Sequence, residues 1–371
     1  MSQLLLLSLN VLNFKNWEEV SLNFSPSINC FLGANGVGKT NLLDAIHYLC
    51  TTKSFLTNTD AHAIRHGAEF FMVKGLFERS GQEEEILLSL RKNDKKLLRR
   101  NDVEYQKLSD HIGLLPVVVI SPMDTNLIYE GSEERRKVTD LILSLADTLY
   151  LHHLMRYNRL LQQRNTYLKE TVPQRKCSSE MLELYNEQME PLAEYIYTVR
   201  RQFWEKTAKW LSKFYSEIAG FTEDISVAYQ SDLAQGSLAT VLREAIARDM
   251  EVLYTSRGIH KDDIDMRING YKLKRFGSQG QQKSYLIALK LAMYAVLQEK
   301  TGMPPILLFD DIFDKLDRNR TANVIRLVRD MNFGQIFLSD TDPERSVQIA
   351  SQFHGNARFF HIHSDQKIHV K

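Results

Sequence analysis

The stretch Gly33-Ala34-Asn35-Gly36-Val37-Gly38-Lys39-Thr40 constrains this chain more than any other. Two glycines separated by four residues, followed by lysine and a hydroxyl residue, form the phosphate-binding loop pattern. Its flanks agree. Ser27-Ile28-Asn29-Cys30-Phe31-Leu32 reads as a short buried strand entering the loop, and Asn41-Leu42-Leu43-Asp44-Ala45-Ile46 as a helix leaving it. Between a strand and a helix, the glycines let the backbone curl until successive N–H groups and the helix N-terminus face an anion. Lys39 then reaches the β- and γ-phosphates of a nucleotide, and the Thr40 hydroxyl ligates Mg²⁺. The competing reading, a glycine-rich turn with a chance lysine, leaves both flanks unexplained.

At 371 residues the chain is long enough for two structural units. Lys and Arg number 47 against 46 Asp and Glu, so there is no global basic field. Any nucleic-acid contact has to come from local patches. Cys30, Cys50 and Cys177 are too few and too scattered for a disulfide framework or a zinc cage, which points to a reducing cytosol. Leu4-Leu5-Leu6-Leu7 is not read as a leader, because no basic region precedes it and Asn10, Asn13 and Lys15 interrupt the apolar run. No uninterrupted apolar stretch is long enough to cross a bilayer, so a soluble protein with no membrane partner is expected.

Alternation predicts strands over Leu4–Phe14 and Val20–Phe24, and again over Phe70–Phe77 and Glu85–Arg91 with a turn at Ser80-Gly81. Six basic residues follow within ten: Arg91, Lys92, Lys95, Lys96, Arg99 and Arg100. They read either as a phosphate-tracking edge for DNA or as a solvated hairpin turning at Asn93-Asp94. Val117-Val118-Val119-Ile120 is a buried strand. From Gly131 to Gly220 no glycine intervenes, and Leu182, Tyr185, Met189, Leu192, Ile196, Val199 and Phe203 recur at helical spacing. A helical lobe with a break near Val172-Pro173 is expected, with Pro191 either kinking the second long helix or marking its start. Its aromatic stripe is read as core. Arg135 and Arg136, and the set Arg156, Arg159 and Arg164, are further candidates for phosphate contact, the alternative again being a solvated helix face.

The second half returns to mixed α/β patterning. Asn269-Gly270 between Ile264–Ile268 and Tyr271–Leu273 is a hairpin signal. Ser278-Gln279-Gly280-Gln281 opens an apolar helix, and by itself Ser-x-x-Gln is a capping box. Pro305-Ile306-Leu307-Leu308-Phe309-Asp310-Asp311 reads as a buried strand ending in two carboxylates. Carboxylates there can also cap a following turn, but beside a phosphate loop the placement favours a metal and water role, Asp310 for Mg²⁺ with Thr40 and Asp311 for the attacking water.

Phosphate loop, Ser-x-Gly-Gln helix and carboxylate strand, in this order, resemble the ABC-type ATPases. That resemblance implies an α/β ATPase head with an inserted α-helical lobe. It also implies that Ser278, Gln279, Gly280 and Gln281 face the ATP of a second chain in a head-to-tail homodimer. The head is expected over residues 1–125 and 245–371 and the lobe over 126–244. Further motifs are similar to the RecF family: Asn13-Phe14-Lys15-Asn16-Trp17, Lys53-Ser54-Phe55, Ser121-Pro122 with Asp124, Gly131-Ser132 with Arg135-Arg136, and Gln163-Arg164-Asn165. Gly258 with His260-Lys261-Asp262-Asp263, and Gly277 to Lys283, extend the likeness over nearly the whole chain. Membership implies a cytosolic, slow, DNA-stimulated ATPase that dimerises with ATP. It implies binding to double-stranded, gapped or junction DNA, and action with RecR and RecO in loading RecA during repair, replication restart and SOS induction. Leu56 stands in place of an expected arginine, Asp314 in place of a serine, and Ile259 and Lys261 in place of proline and arginine. Two other classes share the nucleotide motifs: an SMC-like structural head, which needs a much longer coiled coil, and a transporter ATPase subunit, which usually carries histidine where Ser339-Asp340-Thr341-Asp342 stands.

Overall fold

Alternating apolar and polar residues along Phe70–Arg79 and Gln82–Arg91 bury one side chain in two, as a strand with one face on a core requires. These strands pair antiparallel through Ser80-Gly81, where φ is +54° and +80°. With Leu4–Phe14 and Trp17–Asn23 on one side, and Leu97–Arg100 and Val103–Glu104 on the other, they make a six-stranded sheet. The computed structural model describes residues 3–313, 316–331, 333–353, 357–365 and 367–370. The chain groups into two units, Met1–Asp124 with Lys213–Thr222 and Lys283–Lys371, and Thr125–Ser212 with Glu223–Gln282.

The first unit also holds a second sheet. Its spatial order is Val117–Ile120, Ile306–Asp310, Ile336–Asp340, Ile28–Leu32 and Arg358–Ile362, all parallel, with Ile368–Val370 antiparallel at the edge. The four strands from Val117–Ile120 to Ile28–Leu32 are buried at every position, which is why they read as continuous apolar runs. Leu32 lies opposite Asp340 and Asp310 opposite Ser339, so the carboxyl ends of three strands finish at one edge. Ligands bind outside that edge in open parallel sheets. The helix Lys39–Thr51 packs against strands of both sheets and is buried at every residue from Leu42 to Thr51. Gly75 permits this: a Cβ there would lie 2.7 Å from the Leu49 Cδ1 atom. Among the described residues no helix is long and apolar enough to cross a membrane.

In the second unit, Ser132–Ala146 and Thr148–Thr171 precede the long helix Ser179–Ala219. Tyr195 donates to Asp147 and Tyr185 packs on Tyr167, so the last two helices run antiparallel. Ser178 caps the long helix by accepting from the Met181 N–H at 3.3 Å. Pro191 lies inside that helix and does not mark its start. Two buried arginines tie the helices to the segment after them. Arg164 is fully buried and donates to Asp249 at 2.8 Å and Thr255 at 2.7 Å, which removes it from the exposed phosphate-tracking set. Arg156 and Arg159 of that set are exposed. Arg200 holds Asp140 and Asp262, each at 2.8 Å. The Asn269-Gly270 turn, with φ of +50° and +76°, joins Asp263–Ile268 to Tyr271–Lys272 as expected.

His260 is half-buried beside these residues. Its Nε2–H donates to the Thr255 carbonyl at 2.9 Å, which leaves Nδ1 to accept from the Tyr157 hydroxyl at 2.9 Å. Burial pushes the imidazole pKa down to about 4; the Thr255 bond and Asp249 oppose this, while Lys261 and Arg136 add to it. Between that value and the unfolded one near 6.5, only the unfolded chain takes up the proton, so stability falls as pH falls through this window. Lowering the pH from 7 to 5 is expected to cost about 2 kcal/mol through this group. Urea unfolding checks it: His260→Gln should show a shallower loss over the same range, and an identical slope would assign the effect elsewhere.

Candidate nucleotide site

The loop Gly33–Thr40 leaves the carboxyl end of Ile28–Leu32 and turns at once into the buried helix. Gly38, at φ +108°, forms its N-cap, with no side-chain cap and no acidic residue in the first turn. Other helices of the chain spend an aspartate or serine there, such as Asp147, Ser237 and Asp342. The loop helix therefore keeps its first N–H groups for something else, and a phosphate is what such an end attracts. Gly38 must be glycine for a second reason. A Cβ would sit 2.5 Å from the Asn16 amide and 2.9 Å from the Trp17 indole nitrogen. These two side chains brace the loop, Asn16 donating to the Val37 carbonyl and Trp17 to the Gly38 carbonyl, both at 3.1 Å. Ala34, Asn35 and Gly36 are exposed at the loop's crest, Gly33 and Val37 are half-buried, and Gly36 takes φ +85°.

Lys39 is only 3% exposed, and its Nζ donates to the Gly33 and Ala34 carbonyls at 2.9 and 3.0 Å. The ammonium is thus held under the loop, 4.0 Å from Asp311. The Thr40 hydroxyl donates to Asp310 at 2.7 Å across 270 residues of chain. A hydroxyl and a carboxylate side by side are the kind of protein ligands Mg²⁺ takes while keeping waters and phosphate oxygens for its other positions. The residues present therefore fit both ATP and the cation. Burial pushes the Asp310 carboxyl above its ordinary range, against the downward pull of Thr40, Ser339 and Lys39. Asp311 turns away from the strand in the left-handed region, at φ +44°.

Ser339 was not singled out by sequence. It lies opposite Asp310 on the neighbouring strand, donates to the Asp310 carboxylate at 2.8 Å and accepts from the Asp311 N–H at 3.0 Å. One hydroxyl thereby fixes the Asp310 carboxylate and the Asp311 backbone. Its signal was the chain segment where a transporter carries histidine. Behind the loop helix, Asp44 is fully buried and accepts from Lys15 at 2.5 Å, Ser54 at 2.7 Å and the Phe55 N–H at 2.8 Å. This explains why Lys15 and Lys53-Ser54-Phe55 occur with the loop. Leu56, following them, is half-buried and brings no charge. Asp314 and Lys315 lie outside the described residues.

The Ser278–Gln281 motif stands at the start of the helix Gln279–Thr301, in the second unit. It is a complete capping box: Gln281 accepts from the Ser278 N–H at 2.8 Å and Ser278 accepts from the Gln281 N–H at 3.2 Å. Ser278 and Gln279 are exposed, Gly280 half-buried. The basic candidates separate. Lys96 donates to the Thr52 carbonyl and pairs with Asp60, Arg100 pairs with Glu84, and Lys92 with Glu69. Arg91 and Lys95 are exposed and Arg99 half-buried, and among the described residues none of the three has an ion-pair partner. Arg135 holds Asp263 through two nitrogens and Arg136 donates to Ser132 and the Asp262 carbonyl, so both are turned onto the lobe itself.

A family model described as the RecF/RecN/SMC N terminal domain matches residues 5–355. Curated relatives named DNA replication and repair protein RecF are 44% identical in two bacteria. The protein of Flavobacterium johnsoniae aligns over 354 residues, 95% of this chain and 99% of its own length. That of Parabacteroides distasonis aligns over 359 residues, 97% of each. A solved structure of the recombination mediator protein RecF with ATP, in the RecFOR pathway, superposes with a TM-score of 0.88 at 29% identity, over 100% of this chain and 98% of that one. A Smc head domain from Pyrococcus furiosus shares the fold, with a TM-score of 0.58 at 17% identity over 100% and 96% of the two chains. An α/β head with this loop, and identity sustained from end to end, show that the chain belongs to the RecF family of ATPases.

Proposed function

We propose that this chain is an ATP-dependent DNA-binding recombination mediator of the RecF type, a cytosolic protein that dimerises on ATP and Mg²⁺. It binds gapped or junction DNA and, with RecR and RecO, assists the loading of RecA in recombinational repair, replication restart and SOS induction. The observation that carries this reading is the Thr40–Asp310 pair beside an uncapped loop helix with Lys39 beneath it, in a chain matched over its length by RecF proteins. ATP and Mg²⁺ supply the reactive phosphoanhydride and the cation that offsets its charge. Thr40 and Asp310 hold the cation, and Lys39 exchanges the loop carbonyls for phosphate oxygens. Asp311 orients water and accepts its proton. An aspartate is one methylene shorter than the glutamate of transporters, so it contacts that water less closely and hydrolysis is slow. Slow hydrolysis suits a protein whose ATP state marks a DNA site and whose hydrolysis times release. Dimer formation and gapped-DNA binding, measured with and without ATP, test the reading; indifference of both to ATP would overturn it.

Three substitutions refine it. Lys39→Ala removes the charge-assisted bonds to phosphate and should leave a folded monomer whose ATP affinity falls by at least about tenfold in an equilibrium titration. Ser339→Ala unties the Asp310 carboxylate and the Asp311 backbone and should raise the Mg²⁺ needed for half-maximal turnover by about 10- to 100-fold, with Ser339→Thr restoring it. Asp311→Asn keeps shape but loses basicity. Hydrolysis should fall by about 10² to 10⁴ while ATP binding and dimerisation survive and residence on gapped DNA lengthens. Release at an unchanged rate despite blocked hydrolysis would remove the timing role and leave the ATPase assignment standing.

A further inference from the structure

The residues leading into the Ser278 helix carry exposed aromatic surface. Tyr271 is 60% exposed, Phe276 63% and Tyr129 50%. Such rings are ordinarily buried, and their clustering on a soluble chain marks a contact surface. They are not loose. Tyr271 and Phe276 pack with centroids 4.9 Å apart. The Tyr129 hydroxyl donates to Gln282 Oε1 at 2.6 Å, and the Gln282 amide donates to the Gly277 and Leu273 carbonyls at 3.1 and 3.2 Å. Lys274 closes the ring of bonds by donating to the Tyr129 carbonyl at 2.7 Å. Gly277 has no room for a side chain, since a Cβ would lie 2.8 Å from Leu273 Cδ1 and 2.9 Å from the Leu273 carbonyl oxygen. Exposed Lys272 and Arg275 flank the aromatic residues.

We propose that Tyr129, Tyr271 and Phe276 form a rigid aromatic seat for the ATP-loaded nucleotide loop of a second copy of this chain. The inference rests on the reading that the Ser278 helix faces a second chain's nucleotide. The reasons are steric and electrostatic. Gln282 bonds both Tyr129 and the Leu273 and Gly277 carbonyls, and Phe276 stands two residues before Ser278, so the seat is tied to the cap. Lys272 and Arg275 supply positive charge where a triphosphate-bearing loop brings negative charge, and the flat rings suit a purine or a glycine-rich backbone. Stacked bases of single-stranded DNA are the other ligand of this chemistry, but the bonded continuity with the cap favours the second copy.

Sedimentation of the full chain with and without ATP tests the seat, using wild type, Ser278→Arg, Phe276→Trp and the double variant Tyr271→Ala/Phe276→Ala. Both rings are exposed, so the double variant should keep its melting temperature. Its ATP-dependent dimer should weaken at least about tenfold, as loss of two aromatic anchors does, while Phe276→Trp retains wild-type association. A double variant that dimerises like wild type, while Ser278→Arg stays monomeric, overturns the seat and leaves the shared nucleotide standing. If Ser278→Arg dimerises normally, or wild type ignores ATP, the underlying reading fails and the seat with it. A double variant that dimerises normally but loses single-stranded DNA binding assigns the rings to DNA and also overturns the proposal.

Discussion

Burial of the helix Lys39–Thr51 between two sheets is the constraint on which the site depends. A helix buried at every residue from Leu42 to Thr51 has no solvent face along which to shift, and each buried Leu or Ile contributes roughly 1.5–3 kcal/mol to holding it. Its first turn is consequently presented at a set height above the parallel sheet. The loop has to cross from strand to helix within that space, braced by Asn16 and Trp17, and Gly38 is the residue that fits beneath them. Asp44 ties the same helix to Lys15 and Ser54, so the N-terminal hairpin and the segment after the helix are both registered to the nucleotide loop.

The carboxyl edge of the sheet then completes the chemistry. Parallel pairing puts Asp310 beside Ser339, and the strand order brings Asp310 within 2.7 Å of Thr40. Thr40, Asp310 and Ser339 at this edge each have a partner that also orients them. The buried aspartate stays useful because two hydroxyls and a lysine oppose the cost of its burial. In the second unit, Arg164 and Arg200 play a different part. Both are buried ion pairs, and removing one member of such a pair costs roughly 3–5 kcal/mol because the other charge is left without compensation. They hold helices to the Asp249–Asp262 segment and are unavailable for contacts outside it.

What sequence alone determined is local in origin. A phosphate loop, an Asn-Gly hairpin, a Ser-x-x-Gln cap and carboxylates at the end of an apolar run are specified by residues within about ten positions of one another, and each formed where the spacing placed it. Tertiary structure alone decided the fate of the charges. Sequence shows Arg135, Arg136, Arg164, Lys96 and Arg100 as basic residues of equal standing with Arg91 and Lys95. Whether each faces outward depends on a partner elsewhere in the chain, such as Asp263, 128 residues beyond Arg135, or Asp249, 85 beyond Arg164. Ser339 escaped notice for the same reason, since its meaning lies in the strand beside it and not in its neighbours along the chain. The grouping of Glu223–Gln282 with the helices was likewise settled by packing. Periodicity identifies the buried face of an element without saying which other element covers it.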